Sequence, residues 1–426
     1  MMMKQTNLVP KRRFREFQDN DAWEQRKLGE IAEKVSVGIA TSSSEYFTDR
    51  KKGVPFIKNQ NIKQNRIDDS DLEFISKDFD QANSTKRVKT GDILTVRTGY
   101  PGLSAVVPAH LNGAQTFTTL ITRLKEKQTL PEFVSTFINS NAGMRQITGM
   151  EAGGAQKNVN AGTLQNLFIP IPSFDEQKMV TKFFKCVDDL ITLHQCKLDK
   201  TKALKSAYLS EMFPAEGESV PKRRFAGFID AWEQREVGEF YDFKNGLNKG
   251  KEYFGKGTPI VNFTDVFHNR GIDSTQLRGK VELTDKEIRN FEVRQGDIFF
   301  TRTSETIEEI GYPSVMLDAP KDTVFSGFVL RGRAKDNDPL TNIFKRYVFF
   351  TDVFRNEMQK KSSMTTRALT SGTAIKEMCF SFPVSKEEQD KIGQFFANLD
   401  NLITLHQRKL EKLQNIKKAY LNEMFV

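Results

Sequence analysis

LITLHQCKL occupies residues 190–198 and LITLHQRKL occupies residues 402–410, so the two stretches differ only at Cys196 and Arg408. They stand 212 positions apart (402 − 190 = 212). The repeat reaches further than nine residues. YLSEMF (208–213) answers YLNEMF (420–425), and FIPIPSFDEQ (168–177) answers FSFPVSKEEQ (380–389), both at the same offset of 212. An earlier block repeats too: VPKRRFREFQDNDAWEQRKLGE (9–30) matches VPKRRFAGFIDAWEQREVGE (220–239), with Trp23 and Trp232 at one equivalent position. A fixed internal period is the strongest organisational signal a lone sequence carries. It divides the chain into two tandem halves, 1–213 and 214–426.

The stretch from Glu176 to Phe213 contains no Pro or Gly. It reads as one helix roughly 55 Å long at 1.5 Å per residue. Residues Val180, Phe184, Val187, Ile191, His194, Leu198, Thr201, Leu204 and Tyr208 recur at gaps of three and four, as do Ile392, Phe396, Leu399, Ile403, His406, Leu410 and Leu413, with Tyr420 a further seven residues on. Such a stripe predicts a coiled-coil seam. Two stripes in one chain are most economically buried against each other as an antiparallel pair, with His194 and His406 near its middle. Since each helix end leads into a VPKRRF block, the repeat predicts a circular, pseudo-twofold arrangement with the termini close together. The segments are then 1–175, a helix at 176–213, a linker at 214–219, 220–387 and a helix at 388–426.

The parts between the repeated blocks barely align. One landmark survives, VKTGDILTVRTGYPG (88–102) against VRQGDIFFTRTSETIEEIGYP (293–313), a Gly-Asp turn feeding an apolar strand with a polar tip. Matched frames around different middles suggest one kind of partner met twice and two different things read.

Composition narrows the chemistry. A formal net charge of +9 suits a polyanionic partner. No run of about 18 apolar residues predicts a membrane span, and MMMKQTNLVPKRRF (1–14) lacks the apolar core of a secretory signal. Three cysteines without a CxxC and four scattered histidines predict neither a metal centre nor a histidine-based catalytic site. A cytoplasmic chain with reduced thiols is the expectation. GKEYFGKGT (250–258) has P-loop-like glycines but Gly257 where the Mg²⁺-binding hydroxyl belongs, so it reads as a Gly/Lys loop. No amino-methyltransferase motif, GxGxxG or nuclease carboxylate cluster is found, and Asp188-Asp189 reads as a solvated helix face.

The middles instead carry side chains that suit DNA. Arg pairs with guanine and Asn or Gln with adenine in the major groove, while Lys, Ser and Thr hold phosphates. The candidates are Lys58, Asn59, Gln60 and Asn61 after VPFI, and Arg97, Thr98 and Tyr100 after GDILTV. Gln156, Lys157 and Asn158 come from the Gly-rich AGGAQKNVNAG, Thr301, Arg302, Thr303 and Ser304 follow GDIFF, and Lys361 and Arg367 bound KSSMTTR.

The layout resembles the specificity subunits of bacterial type I restriction–modification systems. The resemblance spans the chain and rests on AWEQRKLGE and AWEQREVGE, IPIPSFDEQ and FPVSKEEQ, the LITLHQ helices and the GDI landmarks. It implies an α+β chain with α/β target recognition domains carrying twisted sheets, separated by the helical pair. Each domain reads half of an asymmetric bipartite target in double-stranded DNA. The repeated frame docks two modification subunits that methylate adenine at N6, and restriction subunits join them. The subunit itself is then non-catalytic, with S-adenosylmethionine, ATP and Mg²⁺ held by its partners. Trp23, Phe184, Ile191, His194, Tyr208, Trp232, Phe396, Ile403, His406 and Tyr420 are the candidate frame and docking residues. Two alternatives are a recognition module fused to its own methyltransferase, which lacks its motifs here, and a coiled-coil scaffold, which leaves the two middles unexplained.

Overall fold

The computed structural model describes residues 8–125, 129–150 and 158–425. The chain forms two compact units, Met1–Gln195 with Arg408–Val426, and Cys196–Gln407. Each is an α+β assembly on one plan. In unit 1 a four-stranded antiparallel sheet runs Ala32–Val37, Leu120–Leu124, Ile93–Thr95, Ser104–Val106. Unit 2 repeats that order with Tyr241–Asn245, Val329–Ala334, Ile298–Thr301 and Pro313–Met316, and adds Gly271–Ile272 parallel at the edge. A second, three-stranded sheet in each unit centres on Val54–Ile57 or on Phe254–Val261. The latter strand contains Gly255 and Gly257, so the P-loop-like stretch does not open a helix as a phosphate loop would. Phe254 and Thr258–Pro259 pair with Lys280–Val281, and Gly255–Gly257 bulge out of the ladder between them with both glycines at positive φ.

The long helices cover Phe174–Glu211 and Lys386–Met424. Ser173 and Ser385 accept the N–H groups of Glu176 (3.4 Å) and Glu388 (3.3 Å), and acidic residues fill both first turns. These are favourable placements at the positive end of a helix. Within unit 1 the first helix meets the second through Phe183–Tyr420 and Asp188–Lys417, and within unit 2 through Lys205–Asp400 and Tyr208–Phe395. In both units one number rises as the other falls, so the pairing is antiparallel.

The seam departs from the heptad expectation at one place. Leu204 is 46% exposed, and Lys205 takes the inward position. The stripe steps four residues from Thr201, not three, because the Lys205 stem can cover apolar surface while its ammonium reaches Asp400. Exposure also orders the effects of substitution. Leu204→Gln changes stability by less than about 0.5 kcal/mol, whereas Phe396→Ala, at 0% exposure, costs about 3–5 kcal/mol. Urea unfolding of the two variants gives the comparison.

The repeated letters fold into a clasp made twice. The strand Glu24–Lys27 pairs antiparallel with Phe168–Ile171, and Glu233–Glu236 with Cys379–Phe382, so each AWEQR block seals the strand before its helix. Arg13 makes two bonds of 2.7 Å to Glu176, and Arg224 bonds of 2.5 and 2.7 Å to Glu388. The preceding arginines hold the opposite helix end. Arg12 pairs with Glu423 and lies over Tyr420, while Arg223 pairs with Glu211 and lies over Tyr208. The N–H of Arg12 also donates to Glu423 O (2.9 Å), so in unit 1 the start of the chain is bonded to its end.

Candidate nucleic-acid interface

The Gly-Asp landmark is where each domain organises its polar tip. Gly91 (φ +86°) and Gly296 (φ +82°) adopt the left-handed turn that glycine tolerates without a Cβ clash. The following carboxylates are buried. Asp92 accepts the Lys89 N–H (2.7 Å) and two bonds from Arg123 (2.8 and 2.6 Å). Asp297 accepts the Arg294 N–H (2.7 Å) and two bonds from Arg333 (2.7 and 2.6 Å). Hydrogen bonding to Asp92 raises the Arg123 pKa further above its ordinary value. The strands fixed in this way, Ile93–Thr95 and Ile298–Thr301, lead into Arg97 and Arg302.

A second segment then crosses each strand end. The N–H of Val159 donates to Arg97 O (3.0 Å), and that of Thr370 to Arg302 O (3.1 Å). In unit 2, Thr303–Ser304 pairs with Ala368–Leu369, which pairs with Ser363–Met364. The structure thus joins two candidate stretches that lie about 60 residues apart in sequence. In unit 1 the corresponding crossing segment brings Asn158 to Arg97, whereas Gln156 and Lys157 lie outside the described residues.

Exposure divides the candidates. Thr98, Asn158 and Arg367 face solvent, as does Tyr100, at 82%. Arg97, Arg302 and Thr303 are half-buried, with the Arg97 Nε unpartnered among the described residues. Three candidates are turned inward, contrary to the sequence reading. Asn61 caps the Lys58 N–H and donates to Asp68 O and Asp71 O. Thr301 accepts the Tyr312 N–H, and Ser304 accepts that of Thr306. Thr301 closes a strand, Ile298–Thr301, that is buried at every position. Lys58 pairs with Glu73 and lies over Phe47, in the second sheet of unit 1, next to half-buried Asn59 and exposed Gln60. Lys361 is an exposed partner of Glu377 (3.4 Å). Sequence reasoning missed Phe328, which is 63% exposed and accepts the Arg302 N–H at 3.0 Å. Its position before an apolar strand gave it the signature of core.

The frame candidates sort differently from the expectation of docking. Trp23 and Trp232 are 4% and 3% exposed. They pack edge-on against Phe133 and Phe425, and against Phe213 and Phe344, inside their own units. Phe184 and Phe396 are core residues, while Ile191, His194, Tyr208, Ile403, His406 and Tyr420 are half-buried along the helices. The exposed large apolar residues of the two LITLHQ stretches are instead Leu190, Leu193, Leu402 and Leu405.

A family model described as type I restriction modification DNA specificity domain matches residues 20–203 and again 229–415. The chain belongs to this family. It is 23% identical over 394 residues to the type I restriction enzyme EcoKI specificity subunit of Escherichia coli strain K12, covering 87% of this chain and 82% of that one. The StySPI specificity subunit of Salmonella potsdam is 21% identical, with 87% and 81% covered. Its fold is similar to that of the type I restriction–modification S subunit from M. genitalium, with TM-score 0.62, 14% identity and coverage of 98% and 99%. Specificity subunits are the non-catalytic part of type I complexes. Among the described residues no helix is long and apolar enough to cross a membrane.

Proposed function

We propose that this chain addresses a type I restriction–modification complex to an asymmetric, bipartite sequence in double-stranded DNA, with each unit reading one half. The observation that carries the reading is a repeated construction with unrepeated contents. Both units clasp their helices with the same arginines and glutamates, and both aim an arginine-tipped strand at a crossing segment, yet the residues around those tips differ. Tips of Arg97, Thr98, Tyr100 and Asn158 in one unit, and of Arg302, Phe328 and Arg367 in the other, offer different donor patterns to base edges.

The partners in this proposal are two modification subunits, which hold S-adenosylmethionine and methylate adenine at N6, and restriction subunits that use ATP and Mg²⁺. Exposed Leu190, Leu193, Leu402 and Leu405 give the frame apolar surface for docking. Extrusion of the target adenine then belongs to the modification subunits.

The test is a methylated-base map of the host with and without this gene. Loss of one bipartite N6-methyladenine motif is the expected result, and retention of every motif sinks the proposal. On purified complex, Arg302→Ala and Arg367→Ala each weaken DNA binding about tenfold, by 1–3 kcal/mol for a base contact. Titration at several salt concentrations separates the roles, since a phosphate contact also lowers the salt slope by about one.

A further inference from the structure

The tip of unit 2 is more apolar than a polar strand end requires. Along the strand Ala368–Leu369, alternation buries Ala368 and Thr370 and leaves Leu369 exposed between them. Leu369 stands opposite Thr303 on one side and Ser363 on the other. Met364, also exposed, belongs to the outer strand of the same small sheet. On the other flank of Arg302, exposed Phe328 accepts the Arg302 N–H through its carbonyl (3.0 Å), while Arg302 O accepts the Thr370 N–H (3.1 Å). Three large apolar side chains are therefore held in the open around one strand end. Exposed apolar surface gathered in one place marks a contact site.

The shape of the segment says what it contacts. Ser363–Met364 and Ala368–Leu369 form an antiparallel two-stranded ribbon. Its loop, Thr365, Thr366 and Arg367, is exposed and closed by the Thr365 N–H donating to Arg367 O (3.2 Å). A two-stranded ribbon fits the major groove of B-DNA, which is about 12 Å wide. Charge alone does not direct this one to the phosphates. Residues 302–308 and 360–370 carry Arg302, Lys360, Lys361 and Arg367 against Glu305 and Glu308, and Lys361 is already paired with Glu377. On the base edges of the major groove the apolar group is the 5-methyl of thymine, which a Phe ring or a Thr methyl contacts favourably. At the unit 1 tip the exposed ring is that of Tyr100, which carries a hydroxyl.

Given the addressing function above, on which this reading rests, we propose that Phe328, Met364 and Leu369 make unit 2 a reader of thymine methyl groups. Its half-site then contains at least one thymine sensed by apolar contact and not by hydrogen bonding. The competing occupant of these side chains is the apolar surface of a partner subunit. The groove-width ribbon and the exposed threonines of its loop favour DNA.

The test uses the purified complex with its modification subunits and the sequence found by methylated-base mapping. Each thymine is replaced in turn by deoxyuridine, which removes the methyl and keeps every hydrogen-bonding group. In one half-site, replacement at one or more positions is expected to weaken binding about fourfold per methyl lost from contact. Leu369→Ser and Phe328→Ser each weaken binding to the thymine duplex and shrink that penalty, and the two together remove it. Both side chains are exposed, and melting curves of the variants report that the fold is kept; if one variant is lost, the other decides. Arg97→Ala, in unit 1, weakens binding but leaves the uracil penalty at about fourfold. Equal binding of thymine and uracil duplexes overturns the proposal while leaving the addressing function intact. So does a uracil penalty that survives the paired substitution, and so does a loss of modification-subunit binding in these variants, which assigns the apolar surface to a protein. Absence of any sequence preference overturns both readings.

Discussion

Asp297→Ala lowers the stability of unit 2 by about 3 kcal/mol, the low end of the range for breaking a buried ion pair by removing one partner. For a unit of this size that is about 6–12 °C in Tm. The Asp297 side chain is only 2% exposed and satisfies a backbone N–H as well as both arms of Arg333. Its removal strands the Arg294 N–H and leaves Arg333, 22% exposed, with Glu292 at 3.9 Å and the Glu292 carbonyl at 2.8 Å. Those remaining contacts set the cost at the lower end. Pairing the change with Arg333→Leu recovers at least half the loss, because no unpaired cation remains. Urea unfolding of the single and double variants gives the cycle. A loss below about 1 kcal/mol in the single variant would show that the turn does not depend on the pair. The same strand delivers Arg302 to the candidate interface, so DNA binding should fall beyond what stability alone explains.

That pair also shows where sequence reading stops. The GDI landmark was legible because glycine, aspartate and an apolar run sit side by side, and it located the strand in both units. Its arginine partner lies about 30–40 residues downstream, on a strand reached only through sheet pairing, and Arg123 and Arg333 look like any other cations in a basic chain. The frame was legible for the opposite reason. Arg13, Glu176, Trp23 and Tyr208 each recur at a fixed offset, and self-comparison finds them without knowing what they touch. It cannot tell packing from docking, however. The tryptophans were read as docking residues because they repeat, yet they are buried in their own units, while Leu190, Leu193, Leu402 and Leu405 repeat and are exposed. At the tips, Asn61, Thr301 and Ser304 have suitable chemistry but inward geometry, their side chains bonded to backbone groups of the same unit. Phe328 has the reverse combination.

Exchanging residues 31–160 for the corresponding middle of another specificity subunit should change one half of the methylated motif. The other half and the gap should stay as they were. The physical basis is the way the frame grips the first middle. Gln177 accepts from the backbone N–H of Leu130, as in the second unit Gln389 accepts from that of Thr341 while donating to Pro339 O. Any residue but proline offers that N–H, and every residue offers a carbonyl, so these contacts survive a change of sequence. The strong side-chain pairs, Arg13–Glu176 and Arg12–Glu423, join frame to frame and lie outside the exchanged segment. What the incoming middle must match is apolar volume, since Leu28 and Leu167 of the frame share a core with Ile93 and Phe133 of the middle. Volume-conserving swaps there cost less than about 1.5 kcal/mol, so an exchange is tolerated if those positions stay large and apolar. Methylome sequencing of a host carrying only the exchanged chain gives the result. A motif altered in both halves would mean that recognition is shared between the units, and an altered gap would mean that the middles, not the helices, set the spacing.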